Sequence, residues 1–169
     1  MLIIFSGLPG SGKSTIAQAL TRKLNALYLR IDTIEQAILK AEEDDCEIGP
    51  AGYFVAYSLA RENVRLGATV IADSVNPLAL TRDAYRDIAL SARIRYLEIE
   101  IICSDEIEHR KRVETRVSEV EGLTLPDWKC VKSVVYEPWN RERLILDSYR
   151  LSRDECVSRI INVLSDDSA

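Results

Sequence analysis

The run Gly7-Leu8-Pro9-Gly10-Ser11-Gly12-Lys13-Ser14-Thr15 sets a lysine and two hydroxyls behind a glycine-rich turn, at the spacing G-x-x-x-x-G-K-[ST] that cradles nucleotide phosphates. Glycines let the backbone turn where a Cβ would clash, so successive N–H groups converge on phosphate oxygens. The helix that follows presents its positive N-terminal end to the same anion. Lys13 adds a mobile charge for the outer phosphates and Ser14 offers a hydroxyl to Mg²⁺. Thr15, one residue deeper, reaches the innermost phosphate.

Two carboxylates stand where such a site needs them. Residues 26–31 alternate as an apolar strand that ends at Asp32, and the continuous apolar run 68–72 ends at Asp73. Asp73 has the position of a carboxylate that holds Mg²⁺ directly or through water, or alternatively opens an Asx turn into Pro77. Asp32 either meets an acceptor at the strand end or caps a helix starting near Thr33.

The elements around these residues alternate regularly. The apolar run 2–5 precedes the loop, and residues 16–24 follow it at helical spacing. Helices are expected over 34–41, 52–66 (stopped by Gly67), 78–92 and 105–120, with a last one capped by Ser152 and running to about 164. Further strands are expected over 94–103 and 143–146. The acidic stretch 42–50 reads as a surface loop, 122–140 as the least regular part, and 165–169 as a frayed tail. Five strands alternating with helices imply one parallel sheet covered on both faces, with ligands outside its C-terminal strand ends. The phosphate loop, Asp32 and Asp73 then converge on one crevice.

Composition limits the function classes. A chain of 169 residues, 47% hydrophobic and 29% charged, is one domain with a single core. No apolar run approaches the roughly 18 residues of a membrane helix, and the chain opens on a strand rather than a signal peptide, so a cytoplasmic protein is expected. The net charge of −5 argues against an extended nucleic-acid surface but not against a small polyanion bound by local cations. Cys46, Cys103, Cys130 and Cys156 form no C-x-x-C pair, which points to reduced thiols rather than zinc or disulfides.

Taken in order, the phosphate loop, Asp32, Asp73-Ser74-Val75-Asn76 and the basic run His109-Arg110-Lys111-Arg112 resemble the small P-loop kinases. The resemblance covers about two thirds of the chain and is to the branch containing chloramphenicol phosphotransferase, zeta-toxin-like kinases and polynucleotide 5'-kinase. It implies a three-layer α/β/α P-loop NTPase fold with a five-stranded parallel sheet. Acceptor-side helices would span about 33–66, and a helical lid about 105–140. It also implies ATP with Mg²⁺ as the donor, a hydroxyl on a small molecule or nucleotide as acceptor, and a monomer or homodimer. Asp32 would orient or deprotonate that hydroxyl, and an arginine of the lid region, Arg110 or Arg112, would neutralise the transferring group. Arg112 and Arg116, four apart on the expected helix, share a face while Arg110 points elsewhere. Arg82 is placed near the crevice, whereas His109 is expected to be structural or exposed, and the tryptophans to pack. An ATPase or a regulatory ATP-binding module without an acceptor is the alternative.

Overall fold

Leu2–Ser6 (β1) is buried along its whole length, so its side chains must be covered on both sides of a sheet. The computed structural model describes residues 1–41 and 48–166. After β1 come α1 (Lys13–Leu24), β2 (Leu27–Arg30), α2 (Ile31–Ala41), α3 (Ala51–Arg65), β3 (Val70–Asp73) and α4 (Ala79–Ala92). Then follow β4 (Tyr96–Ile102), α5 (Glu106–Thr115), α6 (Trp128–Ser133), β5 (Leu144–Asp147) and α7 (Arg153–Asp166). The expected loop over 42–50 and the tail over 165–169 fall partly on 42–47 and 167–169, which lie outside the described residues, as does Cys46.

The strands pair in parallel in the order β2-β3-β1-β4-β5. Alternation along β1 divides the core. Leu2 and Ile4 pack with Ala56 and Ala60 of α3 and Tyr85 and Ile88 of α4, whereas Ile3 and Phe5 face Ile16 and Leu20 of α1 and Val157 and Ile160 of α7. This is the three-layer α/β/α arrangement of a P-loop NTPase. Among the described residues no helix is long and apolar enough to cross a membrane.

Three boundaries differ from expectation in ways that move functional residues. First, α2 starts at Ile31, directly out of β2, so Asp32 lies inside the first helical turn instead of capping a helix at Thr33. A carboxylate there is favoured by the helix dipole. Second, α5 ends at Thr115, and Arg116 has extended backbone (φ −66°, ψ 145°). Arg112 and Arg116 therefore do not share a helix face. Third, the irregular region contains α6, started by Asp127, whose carboxylate accepts from the Cys130 N–H at 2.7 Å. Ser152 and Glu155 form a reciprocal capping box at the start of α7, as the sequence suggests.

Candidate active site

The phosphate loop follows from backbone strain that only glycine relieves. Gly10 and Gly12 have φ of 81° and 90°, and a Cβ on Gly10 would run into Val113 of α5. The loop is held from three sides. Gly7 N–H donates to the Val75 carbonyl at 3.1 Å, the His109 ring bonds through Nε2 to the Pro9 carbonyl at 2.8 Å, and Ser148 Oγ donates to the Ser11 carbonyl at 2.7 Å. His109 is thus a buried support, set edge-on to Trp128.

In front of the loop lies a cavity of about 530 Å³. Pro9, Gly10, Gly12, Lys13, Ser14 and Thr15 form its floor; Gly7, Leu8 and Ser11 stand behind. Lys13 is only 8% exposed and, among the described residues, has no ion-pair partner. A buried ammonium of that kind is costly unless an anion joins it. The same cavity is lined by Arg30 at the end of β2, Asp32 in the first turn of α2, Arg112 of α5 and Arg116 just after it.

Asp73 is 2% exposed. Its Oδ2 accepts from the Tyr28 hydroxyl at 2.6 Å, while Oδ1 is buried without a partner. Ser14 is a hydrogen-bonding neighbour of the same tyrosine hydroxyl. Burial first, then the Asp73 carboxylate, hold the Tyr28 phenol well above its ordinary pKa, so it stays a donor. Ser14 and Asp73 offer hard oxygens, and an orphaned buried carboxylate oxygen fits a divalent cation or its water. No group of three or more His, Cys, Asp or Glu suited to a metal occurs among the described residues. A cation here would draw most of its ligands from water and phosphate, as Mg²⁺ does.

The arginines separate by geometry. Arg112 Nε donates to Glu108 at 2.8 Å, and its Nη1 to Ser148 Oγ at 2.9 Å, so it braces the strut beneath the loop while lining the cavity. Arg116 lines the cavity with Nε and Nη2 buried and unpartnered. Burial pulls its pKa below the usual arginine value; Asp32 opposes that shift and Arg30 adds to it, which marks these three groups as neighbours. Arg110 is the correction: it bonds Glu114 at 2.8 Å, one turn on along the exposed side of α5, and does not line the cavity.

One other expectation also changes. Arg82 does not face the crevice. It is 1% exposed, donates to the Leu78 and Glu137 carbonyls and stacks 4.4 Å from the Trp139 ring, anchoring the segment before β5. Asn76 turns inward: its amide donates to the Phe5 carbonyl at 3.1 Å, and its φ of 47° is one that asparagine tolerates. Sequence reasoning missed Tyr28, Arg30 and Glu119. Glu119 accepts from Gln18 Nε2 at 2.8 Å and from Arg30 Nη1 at 3.3 Å across the cavity mouth.

Comparison with known proteins places this geometry. An adenylyl-sulfate kinase of Bacillus velezensis is 28% identical over 99% of this chain and 86% of its own. The structure of Mycobacterium tuberculosis APS kinase in complex with AMPPNP and APS superposes with a TM-score of 0.73 at 21% identity, covering 97% of this chain and 96% of the other. Chaetomium thermophilum Kti12 in complex with ADP-AlF3 gives 0.72 at 19% identity, over 96% and 98%. These similarities support a P-loop kinase and do not reach the finer branch of chloramphenicol phosphotransferase, zeta-toxin-like kinases and polynucleotide 5'-kinase that the motifs resemble. Residues 2–138 match the family model described as AAA domain, so the chain belongs to that family, and it is a P-loop kinase.

Proposed function

We propose that this protein transfers the γ-phosphate of Mg-ATP to a hydroxyl on a small, nucleotide-type acceptor. The observation that carries the reading is one cavity lined together by the phosphate-loop residues Lys13 and Ser14, by Asp32, and by Arg112 and Arg116. ATP as donor and a nucleotide as acceptor are supported by the adenylyl-sulfate kinase relative and by the AMPPNP and APS held by the mycobacterial structure.

In this reading the loop N–H groups and Lys13 hold the β- and γ-phosphates, with Mg²⁺ held by Ser14 and, through water, by Asp73. The metal supplies charge neutralisation between the phosphates. Asp32 accepts the proton of the acceptor hydroxyl as its oxygen bonds to the γ-phosphorus; the bond to the β–γ bridging oxygen breaks, and ADP leaves. Arg112, which lines the same cavity, neutralises the transferring group. The lid expected over about 105–140 supplies cavity-lining residues from Arg112 to Pro126 and would close over the bound substrates.

The test is a phosphoryl-transfer screen with γ-labelled ATP against adenylyl sulfate, nucleosides, 5'-hydroxyl oligonucleotides and pooled metabolites. Label on one acceptor class is expected. Inorganic phosphate as the sole labelled product, at a rate no acceptor changes, would replace this reading with that of an ATPase.

A further inference from the structure

Arg30 is the least expected charge in the cavity. It ends β2 with its side chain 14% exposed, and it lines the cavity with Asp32 and Arg116. Two carboxylates touch it, Asp32 through Nε and Glu119 through Nη1, each at 3.3 Å. Both are longer than the 2.7–2.9 Å of a well-formed charge-assisted bond. The planar fork that suits a bidentate anion is thus shared between two poorly fitted partners.

Glu119 differs from Asp32 in what holds it. Its side chain is 65% exposed and belongs to the stretch after α5 that has no helix or strand up to α6. Among the described residues its only other bond is to Gln18 of α1. An ion pair this exposed contributes at most about 1 kcal/mol. Displacing it is cheap. Next to it, Arg116 keeps two buried donors unpartnered. The cavity therefore holds a weakly bound internal carboxylate on one guanidinium and unmet donors on the next.

We propose that Arg30 and Arg116 form a subsite for an anionic group on the acceptor, and that Glu119 is its internal competitor, displaced when such an acceptor binds. Asp32 lines the same cavity and touches Arg30, so an acceptor anchored through its anion would bring a neighbouring hydroxyl to the carboxylate. Neutral acceptors of the same size cannot displace Glu119 and are selected against. The assignment rests on the kinase reading for the identity of the acceptor, but the competition itself is a property of the free protein.

The experiment titrates the full chain and its Glu119→Gln and Arg30→Gln variants with AMP, adenylyl sulfate and uncharged adenosine, with and without AMPPNP and Mg²⁺. Glu119→Gln should tighten AMP and adenylyl sulfate by up to about fivefold and leave adenosine unchanged. Arg30→Gln should weaken both anions at least tenfold while AMPPNP affinity stays at the wild-type level. Equal anion affinities in wild type and Glu119→Gln would overturn the competition, and tightening of adenosine to the same degree would reduce it to a steric effect. The arms without AMPPNP decide this even if nucleotide fails to bind, a result that would instead remove the kinase reading.

Discussion

Tyr28 holds Asp73 by a 2.6 Å hydrogen bond from its hydroxyl to Oδ2, and thereby leaves the buried Oδ1 as the carboxylate's free oxygen. A strand side chain thus decides which oxygen of the next strand's aspartate can serve a cation. Tyr28→Phe should therefore weaken the Mg²⁺ dependence of nucleotide binding by about ten- to a hundredfold, the usual cost of removing a partner that orients a metal ligand. Nucleotide affinity titrated against Mg²⁺ concentration, in calorimetry without turnover, checks this. An unchanged Mg²⁺ midpoint would contradict it.

Lys13→Ala should lower Mg-ATP affinity at least about tenfold, or 1.4 kcal/mol, through loss of a charge-assisted bond to phosphate. Because Lys13 is buried and lacks a protein counter-charge among the described residues, its removal should leave the melting temperature of the free protein unchanged or raised. The two readouts separate a ligand-binding lysine from a structural one.

Arg110 and Arg112 differ by two positions and by everything they touch. Arg110→Ala removes an exposed helical pair and should change stability by less than about 0.5 kcal/mol, with turnover unaltered. Arg112→Ala unbraces Ser148, which supports the Ser11 carbonyl, and should weaken ATP binding about tenfold. Parallel ATP titrations of both variants check the contrast.

That contrast shows how far the sequence carries. The phosphate loop, the five strands and Asp73 at the end of β3 were legible because apolar runs and glycine spacing are local signals, whereas the start of α2 at Ile31, which puts Asp32 in a helical turn, was not. The end of α5 was not, since residues 113–120 contain no glycine or proline and helical periodicity continues past Thr115. The helix nevertheless ends there, and Arg116 leaves it with extended backbone and lines the cavity. His109 likewise finds its partner at Pro9, a hundred residues away. Tyr28 read as one more apolar strand position, and nothing near it in sequence announces Asp73. Arg82, drawn toward the crevice by proximity to Asp73, is instead claimed by Trp139 and two carbonyls.

Burial also predicts an alkaline limit. Tyr53 and Tyr136 are each pushed up to about 12, mainly by burial, and Tyr28, Tyr57 and Tyr85 are raised as well. An unfolded tyrosine ionises near 10, so above that pH the unfolded chain binds fewer protons than the native one. Stability is then full below about pH 10 and falls as pH rises through 12. Urea midpoints at pH 9, 10 and 11 should decline, and the decline should be shallower in Tyr53→Phe. Parallel slopes in the two proteins would contradict the assignment to Tyr53.

The account turns on Asp32 as the group that receives the acceptor's proton. Asp32→Asn preserves size and the polar contact to Arg30 within the first turn of α2, so the fold and Mg-ATP affinity should stay at wild-type levels. Transfer of labelled γ-phosphate to the acceptor found by the screen should fall by about 10²-fold or more, the scale of a positioned general base. Melting temperature, ATP affinity and transfer rate measured on one preparation of the variant decide the matter. Intact binding with transfer lost is the predicted result, and transfer at the wild-type rate would contradict it.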